Sequence, residues 1–171
     1  GLEAEGRVLL SVGGSLGARS INEMILNHLH FFKENNIQIL WQTGRWMYNE
    51  AVSAVEKAQV GQWVKVHQFI QRMDMAYAAA DVVVSRAGAI AISELCLVGK
   101  PVVLIPSPNV AEDHQTKNAL ALVDRGAAVM VKDIDCNGQG LAVVKDLFDA
   151  PERRSAMSAA IAKMAVRGAA D

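Results

Sequence analysis

Short runs of aliphatic, mostly β-branched residues with no polar residue among them limit the folds open to this chain. Val82-Val83-Val84 and Val102-Val103-Leu104-Ile105 are two such runs. A strand with one face in water alternates apolar and polar side chains, whereas a strand covered by helices on both faces is apolar throughout. These runs therefore predict parallel strands inside an α/β sheet, because apolar residues at helical spacing separate one run from the next.

The periodicity predicts six strands, each followed by a helix, and one further helix at the end. The strands are predicted at Val8–Val12, Ile37–Gln42, Trp63–His67, Val82–Ser85, Val102–Ile105 and Ala128–Val131. The helices are predicted at Ala18–Phe32, Met47–Ala58, Met73–Ala79, Ile90–Leu97, Gln115–Asp124, Leu141–Phe148 and Pro151–Val166. The expected fold is a Rossmann-like, doubly wound parallel sheet. Ligands of such sheets bind beyond the carboxyl ends of the strands, so the residues that follow each strand are the candidates for function.

Composition excludes several classes of protein. The 171 residues fit a single domain, 1–171, and the chain starts with Gly1, so we expect a piece of a longer protein. A net charge of −1 offers no basic field for nucleic acid. There is neither an apolar run of membrane-spanning length nor a signal peptide, so a soluble, cytoplasmic chain is expected. Cys96 and Cys136 predict reduced, structural thiols rather than a disulfide or a metal site.

The loop after the first strand is a candidate phosphate site. Gly13 and Gly14 allow close approach of a ligand, and Ser15 leads into a helix whose N-terminus favours an anion. Val12 or Ser15 breaks the dinucleotide fingerprint in either register, and no Walker lysine follows, so a phosphate or sugar-phosphate is favoured over NAD. A tight turn that binds nothing is the alternative.

The stretch after the fourth strand carries more chemistry. Gly88 is expected to permit a sharp turn, and the amides of Ala89-Ile90 are expected to be free to meet a diphosphate. Glu94 lies on an otherwise apolar helix, where a carboxylate is costly to desolvate unless a partner such as a ribose diol satisfies it. The alternatives are a Glu94 in water or paired with Arg86 or Lys100, and an Arg86 that faces either a phosphate or an acid.

Two more loops follow strands on the same edge. Phe69-Ile70 either fill the core or read a pyrimidine base through the backbone. Asp113 is expected to cap the next helix, and His114 and Gln115 offer donors and acceptors suited to sugar hydroxyls. The sequence places no carboxylate or nucleophile to pair with His114, and no residues stand at metal-ligand spacing, so neither general-base catalysis nor a metal is expected.

Taken together and in order, these motifs closely resemble the C-terminal half of the MurG family of glycosyltransferases, glycosyltransferase family 28. The motifs are Gly13–Arg19, Gln42–Gly44, Phe69-Ile70, Met75–Asp81, Ser85–Glu94 and Asp113–Ala119. The resemblance covers nearly the whole chain. It implies the GT-B architecture, in which two Rossmann-like domains face a cleft and the C-terminal one binds UDP-N-acetylglucosamine (UDP-GlcNAc).

The resemblance also implies roles for individual residues. Ser15, with Gly14, would contact the diphosphate, Ile70 would read uracil, Glu94 would hold the ribose diol, and Gln115 would bind the GlcNAc hydroxyls. Loop and helix-start contacts to the phosphates would come from Arg86, Gly88, Ala89, Ile90, Ala91, Ile92 and Ser93. Two positions depart from the family: Leu16 stands where many members carry Gln, and His114 where some do.

For the longer protein, the resemblance implies an inverting transfer of GlcNAc to lipid I, giving lipid II for peptidoglycan, cell shape and division. The acceptor site and the general base would lie in an N-terminal domain, so no catalytic residue, cofactor or metal is expected in this chain. The whole enzyme would sit peripherally on the cytoplasmic face of the inner membrane. Two alternatives are a GT-B transferase with a different UDP-sugar and a stand-alone nucleotide-sugar-binding subunit.

Overall fold

One parallel sheet organises the chain. The computed structural model describes residues 7–13, 18–108 and 114–170. Six strands pair in the order β3-β2-β1-β4-β5-β6, which confirms the doubly wound sheet. The strands are β1 (Arg7–Val12), β2 (Ile37–Gln42), β3 (Val64–His67), β4 (Val82–Ser85), β5 (Val102–Leu104) and β6 (Val129–Met130). The helices are α1 (Arg19–Leu26), α2 (Leu29–Glu34), α3 (Tyr48–Ala58), α4 (Met73–Ala79), α5 (Ala89–Val98), α6 (His114–Val123), α7 (Cys136–Phe148) and α8 (Pro151–Ala170).

Helices cover both faces of the sheet, which explains the apolar runs of the sequence. Consecutive residues of β1 point to opposite faces, so Leu9 packs among α1, α2, α3 and α7, and Leu10 packs against α4, α5 and α6. Helix α8 contributes Met157 to the first layer and Ile161 to the second. Both cysteines are free and buried, Cys136 in the first layer and Cys96 in the second, so the sheet separates them.

The predicted helix over Ala18–Phe32 is two helices. The N–H of Asn27 donates to the carbonyl of Glu23, and the N–H of His28 donates to that of Ile25. The Nδ1 of His28 lies 2.8 Å from the carbonyl of Met24 and donates to it. These bonds satisfy the last carbonyls of α1 and end it, so that a new helix begins at Leu29.

Helix α7 begins five residues earlier than the sequence predicts, at Cys136 instead of Leu141. Its two early glycines hide the helical periodicity. Gly140 is the point where α7 crosses α1, because a Cβ atom added there would overlap the sulfur of Met24. A glycine at this crossing lets the two helices approach closely.

Strands β1 and β4 lie side by side, and the chain leaves them toward opposite faces, into α1 and α5. Asp81 fixes this pair: its carboxylate accepts from the N–H of Val8 at 2.9 Å, and its own N–H donates to the Val8 carbonyl at 2.8 Å. The crevice beyond the carboxyl ends of two such strands is a topological switch point, where ligands of open α/β sheets bind.

Candidate functional site

The start of α5 presents amides with no partner inside the helix. The N–H of Ile92 donates to the carbonyl of Gly88 at 2.9 Å, so the amides of Ala89, Ile90 and Ala91 precede the helical ladder. Gly88 has φ −65° and ψ 156°, which is extended backbone that any residue adopts. The expectation that Gly88 is needed for a sharp turn was therefore wrong. A Cβ atom there would lie 3.7 Å from the amide nitrogen of Gln115, in ordinary contact.

The start of α1 lies at the same crevice and has the same character. Its ladder begins with the bond from the N–H of Asn22 to the carbonyl of Ala18, at 2.9 Å. Helices α1 and α5 have no acidic residue in the first turn, a property that they share with α2, α6 and α7, whereas α3, α4 and α8 carry Glu50, Asp74 and Glu152 there. An acidic residue in that turn would offset the positive end of the helix dipole. The two helix starts at the switch point therefore keep their attraction for an anion.

Several predicted contact residues lie outside the part of the chain that the structure describes. Gly14, Ser15 and Leu16 precede α1, and Asp113 precedes α6, and all four lie outside the described residues. Their predicted roles, diphosphate contacts for Gly14 and Ser15 and a helix cap for Asp113, remain predictions.

Glu94 lies one turn into α5 and is exposed, as is its neighbour Ser93. No burial cost therefore forces a ligand onto this carboxylate, contrary to the argument from its apolar helix. The cations suggested as its partners are engaged elsewhere, since Lys100 donates to the Ala78 carbonyl at 3.4 Å and Arg86 lies in an ion pair. Its neighbour is Tyr77 on α4: burial, then the charge of Glu94 and a hydrogen bond to it, raise the pKa of that phenol above its usual range.

Arg86 follows β4 directly and is held by an acid, which is one of the two alternatives that the sequence allowed. Its Nη1 donates to Asp133 Oδ1 at 2.6 Å and to the carbonyls of Ile105 and Pro106 at 3.2 and 3.3 Å. The side chains of Arg86 and Asp133 are 18% and 21% exposed. The guanidinium therefore has its strongest partner within the fold.

Helix α6 fastens the loop between β4 and α5. The side-chain oxygen of Gln115 accepts from the N–H of Ser107 at 2.8 Å and from the N–H of Ala87 at 3.2 Å. Asn118 Nδ2 donates to the carbonyl of Ala87 at 3.0 Å. The oxygen of Gln115 thus has both lone pairs engaged, and its amide nitrogen, beside Gly88, is the group left to donate to a sugar hydroxyl.

The loop after β3 is fastened in a similar way. The N–H of Ile70 donates to the side-chain oxygen of Gln42 at 2.9 Å, so this amide already has an acceptor, and base reading by Ile70 falls to its carbonyl. Ile70 packs partly against the layer that contains Leu10. Phe69 is 47% exposed and is not a core residue, contrary to the reading that the two residues fill the core.

Three polar residues organise the site: Gln42, Asn118 and Asp133. The sequence motifs include Gln42 and Asn118, whereas the sequence analysis did not single out Asp133. Each ends or follows a strand or lies near a helix start on the carboxyl edge, so its position was visible in the sequence. Its partner was not, because Gln42 reaches Ile70, Asn118 reaches Ala87 and Asp133 reaches Arg86, all far away in the chain.

A depression of about 700 Å³ opens beyond β5 and β6 on the same edge of the sheet. It is lined by Pro106, Pro108, Thr116, Met130, Lys132, Asp133 and Ile134. Over residues 7–13, 18–108 and 114–170, no group of three or more His, Cys, Asp or Glu side chains converges to hold a metal ion. No helix in this part of the chain is both long and apolar enough to cross a membrane.

Residues 8–171 match the family described as the glycosyltransferase family 28 C-terminal domain. The chain belongs to this family. Its relatives include the UDP-N-acetylglucosamine--N-acetylmuramyl-(pentapeptide) pyrophosphoryl-undecaprenol N-acetylglucosamine transferases of Parabacteroides distasonis, 52% identical over 171 residues, and of Bacteroides thetaiotaomicron, 49% identical over 166. The first alignment covers 100% of this chain and 46% of the relative, the second 96% and 45%. The family 28 chain therefore spans about half the length of these relatives.

Solved structures agree with the family. Acinetobacter baumannii MurG superposes with a TM-score of 0.72 at 27% identity, over 96% of this chain and 46% of that one. The C-terminal CMP-Kdo binding domain of WaaA from Acinetobacter baumannii superposes with a TM-score of 0.65 at 14% identity, over 93% and 89% of the two chains. The second likeness shows the fold alone. The first supports the resemblance drawn from the sequence motifs.

Proposed function

We propose that this family 28 domain binds UDP-GlcNAc as the donor half of a transferase that adds GlcNAc to lipid I, giving lipid II for peptidoglycan. The observation that carries the proposal is the pair of helix starts at the switch point, both without an acidic residue in the first turn. A diphosphate between them meets backbone amides and two positive dipole ends. The names of the relatives supply the identity of the sugar and of the acceptor.

The polar groups around this crevice suit the other parts of the donor. Glu94 is exposed beside the start of α5 and can accept from both hydroxyls of a ribose. The carbonyl of Ile70 can accept from the N3–H of uracil, and the amide nitrogen of Gln115 can donate to a GlcNAc hydroxyl. Ile92 and Ser93 line the first turns of α5 with Gly88 to Ala91. Arg86 contributes to the donor site indirectly, by holding the neighbouring loop in place, since its own guanidinium binds Asp133.

The chemistry assigned to this half is the stabilisation of the leaving group. In an inverting transfer the acceptor hydroxyl attacks the anomeric carbon while the bond to UDP breaks, and charge develops on the diphosphate. Preorganised amides at the two helix starts bind the diphosphate more strongly as this additional charge develops than they bind the diphosphate of the intact donor. The acceptor site and the general base belong to the remaining half of the enzyme, which would associate with the cytoplasmic face of the membrane.

Calorimetry on the 171-residue chain tests the donor assignment. We expect UDP and UDP-GlcNAc to bind the chain, Glu94→Ala to abolish binding, and no transfer of GlcNAc to lipid I by this chain alone. Glu56→Ala is the matched control, because Glu56 is also an exposed helical glutamate but lies in the last turn of α3. Unchanged binding by Glu94→Ala would contradict the ribose assignment, and a wild-type chain that binds neither ligand would contradict the function.

A panel of nucleotide sugars separates the proposal from a transferase that uses a different donor. The nucleotide contacts are common to all UDP-sugars, whereas the Gln115 contact depends on the sugar. We expect UDP-GlcNAc to raise the thermal midpoint more than UDP-glucose or UDP-galactose does. A larger shift with another UDP-sugar would replace GlcNAc in the proposal while keeping the uridine site.

A further inference from the structure

The Asp133 carboxylate lies between two elements that the proposed function assigns to the diphosphate. Its Oδ2 accepts from the hydroxyl of Ser20, in the first turn of α1, at 2.9 Å. Its Oδ1 accepts from Arg86, in the loop before α5, at 2.6 Å. One carboxylate from the loop after β6 thus joins the segments that follow β1 and β4, which leave the sheet on opposite faces.

The surroundings hold this carboxylate in place. Asp133 opens a short 3-10 turn, Asp133–Asp135, which leads directly into α7. Cys136 in the next turn is buried, and its thiol donates to the Ser20 carbonyl at 3.6 Å. Burial, together with the charge of Asp133, raises the pKa of that thiol to about 11, so it remains a neutral neighbour of the pair.

The guanidinium of Arg86 is held in place as firmly as the carboxylate of Asp133. The two carbonyls at the end of β5, of Ile105 and Pro106, accept from the same guanidinium nitrogen that binds Asp133. The loop before α5 is therefore tied to β5 and to Asp133 together. A nearly buried charge in this geometry resists movement, because its displacement would leave polar groups without partners.

We propose that Asp133 is a positioning residue, whose bonds to Ser20 and Arg86 set the spacing between the starts of α1 and α5 at which a nucleoside diphosphate is held. The inference rests on the proposed function and assigns Asp133 no contact with the donor. Arg86 accordingly acts through its ion pair, by placing the loop before α5, and not as a direct phosphate ligand.

The test compares two matched substitutions in the 171-residue chain. Asp133→Asn removes the charge and keeps the shape, so we expect UDP to bind about tenfold more weakly by calorimetry. Asp149→Asn is the control: Asp149 pairs with Arg7 and Lys145 at the opposite end of the sheet, so UDP affinity should stay within twofold of the wild type. The double variant Arg86→Met/Asp133→Asn should bind no worse than Arg86→Met, because the two residues act as one unit.

Hydrogen exchange measured without ligand tests the role of Asp133 independently of the donor assignment. In Asp133→Asn, the hydrogen-bonded amides of Asn22, Ala87 and Ile92 should exchange faster than in the wild type and in Asp149→Asn. Unchanged exchange would overturn the coupling, whether or not UDP binds. Faster exchange with unchanged UDP affinity would reduce Asp133 to a structural role and overturn the positioning. If Asp133→Asn exchanges faster but even the wild-type chain does not bind UDP, the proposed function is overturned and the coupling stands.

Discussion

Glu94 is an exposed carboxylate whose closest polar neighbour is buried. Tyr77 on α4 is 8% exposed and packs in the same layer as Leu95 and Cys96 of α5. After burial, the charge of the Glu94 carboxylate and its interaction with the hydroxyl raise the pKa of this phenol. A long side chain on a helix surface loses rotamer freedom when it binds a ligand, and an attraction to a fixed hydroxyl removes part of that cost beforehand. We therefore expect Tyr77 to prepare Glu94 for the proposed contact with the ribose.

Substitution of Tyr77 by Phe keeps the packing and removes the hydroxyl that interacts with Glu94. We expect Tyr77→Phe to weaken UDP binding about fivefold, which corresponds to a loss of about 1 kcal/mol for one polar contact, with a nearly unchanged thermal midpoint. Calorimetry with UDP measures the effect. Tyr48→Phe, on α3 and also partly buried, is the control and should bind UDP as the wild type does. Equal affinities of the two variants would contradict the role of Tyr77.

Because the pKa of Tyr77 is raised, Tyr77→Phe and Tyr48→Phe should also differ in how their stability depends on pH. The folded chain keeps the phenolic proton at a pH where the unfolded chain has lost it, so the free energy of unfolding falls as the pH rises above about 10. Tyr77→Phe lacks this contribution and should lose less stability between pH 8 and pH 10.5 than Tyr48→Phe. Urea unfolding at the two pH values measures the difference, and equal losses would argue against it.

Helices α1 and α7 pack more closely than their sequences suggest. Gly140 of α7 lies against the fully buried Met24 of α1, with no room for a methyl group. Because Asp133 precedes α7 and Ser20 lies in α1, this packing also brings Asp133 close to Ser20, its proposed partner in spacing the two helix starts. The close crossing thus links the core to the ligand edge.

Two alanine substitutions on α7 separate packing from helix propensity. Gly140→Ala should destabilise the chain by roughly 1–3 kcal/mol, because its methyl group overpacks the crossing. Gly138→Ala should stabilise it by about 0.5–1 kcal/mol, because Gly138 has open space around its Cα and alanine is the better helix former. Chemical denaturation measures both, and a Gly140→Ala variant at least as stable as wild type would contradict the close approach.

Five of the six strands, all except β3, contribute residues to both core layers, so the chain should unfold as one unit. Leu9 and Leu10 are adjacent, fully buried and in different layers. Either residue changed to alanine should cost roughly 2–5 kcal/mol. Trp41 and Trp63 lie in the Leu9 layer, yet Leu10→Ala should shift the tryptophan fluorescence and the far-ultraviolet circular dichroism to one common lower midpoint. Separate midpoints would show that the layers unfold independently.

Local chemistry was sufficient to predict the sheet. All six strands were predicted to within two residues at each end, since continuous apolar runs mark strands buried on both faces. The start of α7 and the break at His28 were not, because glycines and a side chain that binds a backbone carbonyl leave no periodic signal. The loops that carry the site were found because each follows a strand.

The order of residues along the chain thus decided the fold class, the family and the edge of the sheet where a ligand binds, since these depend on patterns within a strand, a loop and the next helix. Tertiary structure alone decided which polar groups are already engaged: Arg86 with Asp133, Gln115 with Ala87 and Ser107, and Ile70 with Gln42. The physical reason is that a hydrogen bond depends on distance in space. Except for Gln115 with Ser107, these pairs join residues at least 28 positions apart, which the fold of the sheet brings together.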